Sequence, residues 1–432
     1  MFRESNKIIM IDDKNEDLEG LSNVFIKNGI GCRIFQYDPF YNEPLTGIRI
    51  AFMDINLNSA NSDQQRNSTL VDTIKRYICE ENGPYVLVFW TNKIEWIENF
   101  TKYVNEREDT ELAKRSPFHI TCVDKADFYD SSQKLEAKIK SIFNSHIVSI
   151  LFEYEDLIAD SAYKAMSSII NIIPKSDKWG DNNVFESGCQ SVFSAIAAQT
   201  AGYAFAKENP DKAIKEAMIP IISDSFVSEQ NTIWKSNLPM LEESKSMSNI
   251  CFPTDFKESK LNSIFNIEYG RDIPQEARGA ICPILDKDKL FEDKFNNKFC
   301  DWFSQTFPDV SKPERNDSEL ICVEFSAACD FSQKKKRTNK YLLGAILPIS
   351  VMDKIANSDK KGDYLLLLTN KFDINGTERV IGFNLNFSFT ISKSAKDKYL
   401  GEPIFCFKKE MMDHIGHKYA NHISRIGITT FI

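Results

Sequence analysis

No apolar run in this sequence approaches the roughly 20 residues that a membrane-crossing helix needs. The best stretch, residues 192–206, is rich in small residues and carries Gln199 and Thr200, so no span is expected. The first residues, Met-Phe-Arg-Glu-Ser-Asn, lead into only four apolar ones (8–11) and predict no secretory signal peptide. The ten cysteines include no CxxC pair. A chain of 432 residues needs no disulfide staples, so reduced thiols in a bacterial-type cytoplasm are expected. A strong basic surplus is also missing. The net charge of −9 divides into −5 over residues 1–145, −6 over 146–250 and +2 over 251–432. Nucleic-acid binders concentrate cations to neutralise phosphates, so that function is disfavoured. With 42% hydrophobic and 27% charged residues, extensive disorder is excluded too. The length suggests about three domains.

What is present first is an alternation of two periods over residues 1–145. Apolar runs of strand length occur at 7–11, 32–37, 48–53, 85–90 and 119–123. Between them, residues 15–28, 69–81, 96–104 and 135–143 carry apolar side chains at helical spacing. Strands without polar alternation, separated by helices, predict a doubly wound parallel sheet covered on both faces. In such a sheet chemistry gathers at the carboxyl ends of the strands. Asp12 and Asp13 follow the first run, Asp54 the third, Thr91 the fourth and Lys125 the fifth. Three clustered carboxylates repel one another unless a cation sits among them, and oxygen-only ligands suit Mg²⁺.

The stretches Ile-Ile-Met-Ile-Asp12-Asp13, Phe-Met-Asp54-Ile-Asn-Leu, Val-Phe-Trp-Thr91 and Val-Asp-Lys125-Ala-Asp-Phe resemble the receiver domain of two-component response regulators. The resemblance covers about residues 5–145. It implies a five-stranded sheet of order 2-1-3-4-5, as in flavodoxin-like folds. It also implies Asp54 as phosphoacceptor, with a histidine kinase or phosphotransfer protein as donor. Asp12, Asp13 and Asp54 would hold Mg²⁺ together with the backbone carbonyl of Asn56. Lys125 would pair with the phosphoryl oxygens, and Thr91 would swing toward them. The sequence departs from the family at several places. A polar insertion (59–68) follows Asn58, Ala126 stands where Pro usually follows the Lys, and Cys122 replaces the aromatic switch. The span from Thr91 to Lys125 is long. Transfer chemistry is thus expected intact and its propagation rewired, as in divergent receivers similar to components of bacterial antiviral and conflict systems.

Residues 146–250 read as a helical coupling region. One amphipathic helix (147–173) ends at Pro174 and could pair with a second protomer; further helices are expected at 184–207 and 210–228. Residues 251–432 read as a β-rich output or interaction domain, mixed or barrel-like. Its strands are expected at 279–285, 319–326, 341–348, 363–370, 379–391 and 403–407, with an Asn375-Gly376 turn and a helix at 410–424. The motif Asp413-His-Ile-Gly-His417 spells the nucleotide signature of class I aminoacyl-tRNA synthetases, but it lies inside a helix with no Lys-Met-Ser-Lys-Ser loop after it. The pairing of His414 and His417 lacks further metal ligands. Glu324, Cys329 and Asp330 could form an unrecognised enzyme site, although no base can be assigned to the thiol. The run Lys334-Lys-Lys-Arg337 reads as a solvated loop. A signalling protein is therefore the leading expectation. A phosphate sink or scaffold and an enzyme centred on Glu324 are the alternatives.

Overall fold

The computed structural model describes residues 7–58, 62–91, 93, 95–125, 137, 141–142, 146–175, 177–178, 183–228, 234, 238, 252–254, 256–270, 273–326, 338–358, 362–392, 396 and 398–424. They form two compact units. One comprises Met1–Ala165 with Ser223–Lys245, the other Met166–Ile222 with Ser246–Ile432.

In the first unit, β1 (Ile8–Asp12), β2 (Arg33–Gln36), β3 (Ile50–Asp54), β4 (Val86–Trp90) and β5 (His119–Val123) pair in the order β2-β1-β3-β4-β5. All the pairings are parallel. Every residue of β1, β3 and β4 is buried, because alternate side chains enter two separate cores. Ile9, Ile11, Ala51, Met53, Leu87 and Phe89 pack on one face, and Ile8, Met10, Ile50, Phe52, Val86 and Val88 on the other. Helix α1 (Asn15–Lys27) brings Leu18, Leu21 and Phe25 to the second of these cores. Burial of one such side chain is worth about 1.5–3 kcal/mol, so these strands hold the edge where the site stands.

Helix α2 runs Asp63–Tyr77, beginning six residues earlier than the apolar pattern predicts. The hydroxyl of Ser62 caps it by accepting from the Gln65 N–H at 3.2 Å. Much of the expected polar insertion is therefore helix. Its polar residues are buried by partners on α3 (Glu95–Asn105). The Arg66 guanidinium stacks 3.8 Å from the Trp96 ring and donates to Asp63 at 2.7 Å, while the Asn67 amide donates to Asn99. A short helix, α4 (Thr110–Ala113), occupies part of the long span before β5. The expected helix at 135–143 falls almost wholly outside the described residues.

Helix α5 (His146–Ile170) fits the predicted amphipathic helix, and its first half packs on the parallel sheet through Phe152. Lys7, just before β1, bonds Asp156 at 2.6 Å, and Arg49, just before β3, bonds Glu155 at 2.8 Å. Helices α6 (Asn183–Ala201), α7 (Tyr203–Glu208) and α8 (Pro210–Ser228) follow; Ala197, Ala201, Phe205, Ala206 and Ala213 share a small core.

The second unit holds a seven-stranded sheet that is antiparallel throughout. In chain order its members are β6 (Ile267–Glu268), β7 (Ala280–Pro283), β8 (Glu319–Glu324), β9 (Asn339–Pro348), β10 (Leu365–Ile374), β11 (Thr377–Ile391) and β12 (Phe405–Phe407). The spatial order is β10-β11-β9-β8-β7-β12-β6. Asn375 and Gly376, both at positive φ (52° and 78°), make the expected two-residue turn between β10 and β11. Polar alternation is weak because both faces are covered. Helices α9 (Glu258–Asn266), α10 (Lys287–Phe295), α11 (Phe299–Thr306), α12 (Lys312–Asn316), α13 (Met352–Ala356) and α14 (Lys409–Ile423) also belong to this unit. Phe291, Trp302 and Phe303 cover one face, and Met411, Met412 and Ile415 the other. The edge strands β10 and β6 do not pair, so this is not a closed barrel. Helix α9 bridges them instead. Asn262 donates to the Lys371 carbonyl, and Tyr269, just past β6, donates to the Asp373 carbonyl at 2.9 Å.

Candidate functional site

Because β1, β3, β4 and β5 are parallel, their carboxyl ends lie along one edge. Asp12 is the last residue of β1 and Asp54 the last of β3, paired in register with Trp90 at the end of β4. Thr91 and Lys125 are tied to each other by the backbone: the Thr91 N–H donates to Val123, and the Lys125 N–H donates to Thr91. One carboxylate oxygen from each of Asp12, Asp13 and Asp54 lies within 4.8 Å of the other two. Among the described residues no other three His, Cys, Asp or Glu side chains converge in this way. Lys125 reaches into the same crevice. Its ammonium donates to Asp12 at 2.8 Å and to Asp17 at 2.8 Å, and stands 3.5 Å from Asp54.

Asp12 is fully enclosed, and Asp54, Thr91 and Lys125 are buried; only Asp13 is partly open to solvent. Burial raises the Asp12 carboxyl to about 6; hydrogen bonds from Lys125 and the Lys14 N–H oppose it, and the nearby Asp54 charge adds to it. Asp54 is also raised, chiefly by burial and further by Asp13, against the pull of Lys125 and the Asn56 N–H. For Lys125, burial works against the charge but loses to Asp54, Asp12 and Asp17, which together hold the ammonium well above its ordinary value. An uncompensated excess of negative charge in a buried crevice is what a cation relieves. The donor set fits a hard cation, being all oxygen. The side-chain oxygen of Asn56, whose N–H bonds the Asp54 carboxylate, is buried and has no hydrogen-bond donor among the described residues.

Thr91 is in place, its hydroxyl accepting from the Lys93 N–H at 3.0 Å. Cys122, where the resemblance implies a replaced aromatic switch, lies opposite Phe89 and is partly buried against the sheet core. Asp17 escaped the sequence reading. An acidic residue in the first turn of a helix reads as a response to the helix dipole, and only the strand–helix geometry turns it toward Lys125.

In the second unit Glu324 is wholly buried at the end of β8, where its carboxylate accepts from the Ser326 N–H at 3.1 Å. Cys329, Asp330 and the basic run 334–337 lie outside the described residues. One cleft of about 510 Å³ is bordered by Leu285, Phe299 and Glu319, and another of about 560 Å³ by Arg278, Cys406 and Lys408; neither is lined by Glu324. In α14, His417 bonds Asn421, and His422 bonds Asn386 on β11. Among the described residues no helix is long and apolar enough to cross a membrane.

No family model matches the chain, and no curated protein matches it. Among solved structures, full-length FixJ from B. japonicum aligns over 57% of this chain and 94% of its own, at 12% identity and a TM-score of 0.20. A likeness of that size carries no inference about this chain.

Proposed function

We propose that the first unit is a receiver that accepts a phosphoryl group on Asp54, and that the chain is a response regulator. The observation that supports this best is the juxtaposition of the Asp12–Asp13–Asp54 trio with Lys125 at the carboxyl edge of a parallel sheet of order 2-1-3-4-5. Asp12, Asp13, Asp54 and the Asn56 backbone carbonyl would hold Mg²⁺. When bound, the ion neutralises the trio and the incoming phosphoryl oxygens. An Asp54 carboxylate oxygen attacks the phosphorus of a phosphohistidine on a histidine kinase or phosphotransfer protein. A new O–P bond forms, the donor's P–N bond breaks, and its electron pair returns to the imidazole nitrogen, which takes a proton from water. Lys125 supplies positive charge to the phosphoryl oxygens. Thr91 turns its hydroxyl from the Lys93 N–H toward the phosphoryl group, drawing that loop inward.

With Cys122 in place of an aromatic switch, the outlet is α5. Its ion pairs to Lys7 and Arg49 read the starts of β1 and β3, and exposed Ile158 and Tyr163 offer a surface for a second copy. The second unit is the effector or interaction module. The expected result of treating the full chain with acetyl phosphate and Mg²⁺ is one added phosphoryl group by intact mass, and none in Asp54→Asn. Equal labelling of that variant overturns the assignment.

A further inference from the structure

We infer that Asp17 is a positioning residue that holds the Lys125 ammonium off Asp54, so that the site carries a built-in competitor for its own phosphoryl group. The inference rests on the phosphoacceptor reading and adds a regulatory element to it. An ammonium has three donors. Two of those on Lys125 go to Asp12 and Asp17 at 2.8 Å, the length of a strong charge-assisted bond. Asp54 stands at 3.5 Å, beyond that range.

Asp17 sits in the first turn of α1 and is buried, so its bond to Lys125 is little weakened by solvent. It is also outside the trio that converges for a cation. When a cation takes oxygens of Asp12 and Asp54, Asp17 is the carboxylate that remains beside Lys125. A phosphoryl group on Asp54 must then draw Lys125 away from a buried, oppositely charged partner. Its hold on Lys125 is weakened accordingly, and the charge that assists attack on the phosphorus, by Asp54 or by water, is held back.

The experiment compares wild-type full chain, Asp17→Asn, Lys125→Gln and the double variant. The first readout is the half-life of the acyl phosphate after removal of acetyl phosphate. Freeing Lys125 from one charge-assisted hydrogen bond is expected to shorten the half-life roughly tenfold, since the same charge assists attack by water. Since Asp17 acts through Lys125, its substitution is expected to change nothing in the Lys125→Gln background. The second readout needs no phosphodonor: the side-chain ¹⁵N resonance of Lys125, which is expected to shift in Asp17→Asn. An unchanged or longer half-life in Asp17→Asn overturns the inference, as does an equal change without Lys125 or an unmoved Lys125 resonance. A wild-type chain that takes no label while its Lys125 resonance shifts in Asp17→Asn retires the phosphoacceptor reading. It takes the competition with it and leaves Asp17 as a structural partner of Lys125.

Discussion

Both units bury a carboxylate as the last residue of a strand, and the two have opposite surroundings. Asp54 ends β3 among Asp12, Asp13 and Lys125 in a crevice that reaches solvent beside Asp13. Glu324 ends β8, fully enclosed, and supports the backbone that follows by accepting from the Ser326 N–H. The difference follows from strand direction. Parallel strands end on one edge, so the polar residues that terminate them collect there. Antiparallel strands alternate, and the end of β8 meets the start of β9, where Glu324 lies opposite Tyr341. The first sheet concentrates charge; the second disperses it. A carboxylate at a strand end is therefore a poor sign of chemistry alone, and a strong one when its neighbours run in the same direction.

The sharpest way to break that comparison is to remove each carboxylate and follow stability. Glu324→Ala leaves the Ser326 N–H without its acceptor and is expected to lower unfolding free energy by about 2–4 kcal/mol. Asp54→Asn relieves repulsion in the trio and is expected to raise it by about 1 kcal/mol without metal. Urea unfolding of the two variants decides the matter; a loss for Asp54→Asn as large as that for Glu324→Ala would erase the distinction.

A second contrast lies in pH. The Asp12 carboxyl is raised to about 6, so the folded state keeps a proton that the unfolded state has already lost. Without metal, this group makes the fold less stable as pH rises from the ordinary carboxylate range through 6. If the trio holds Mg²⁺ as proposed, the ion must displace that proton. Its affinity is expected to fall roughly tenfold per pH unit below 6 and to level off above it, as titration calorimetry would read. An affinity flat between pH 5 and 7 would contradict the trio as ligands. A further effect concerns the α2–α3 contact: Arg66→Ala gives up the Trp96 stack and the Asp63 bond, at about 1–2 kcal/mol. Thermal unfolding that shows no loss would mean that this buried guanidinium is idle.

The parallel sheet was legible because strands buried on both faces read as unbroken apolar runs, and the strand-end residues stood one after another in the right places. The first turn of α2 was hidden, since Arg66 and Asn67 are polar side chains buried by partners about 30 positions away. Asp17 was hidden for the same reason, as its contact with Lys125 is not local. In the second unit β7–β12 were visible, although the edge strand β6, two residues long, was not. Helices α10 and α11 did leave a signal: Phe291, Phe295, Phe299, Trp302 and Phe303 recur at helical spacing and pack together. An open sheet bridged by α9 cannot be told from a barrel by strand pattern alone, because what separates them is whether β10 and β6 pair.

The most direct measurement is to trap the modified residue. The full chain is incubated with acetyl phosphate and Mg²⁺, reduced with borohydride, which turns an aspartyl phosphate into homoserine, and mapped by peptide mass. Homoserine at position 54 alone is the result expected. Conversion at another acidic residue, Asp12, Asp13 or Asp17 included, would contradict Asp54 as the phosphoacceptor.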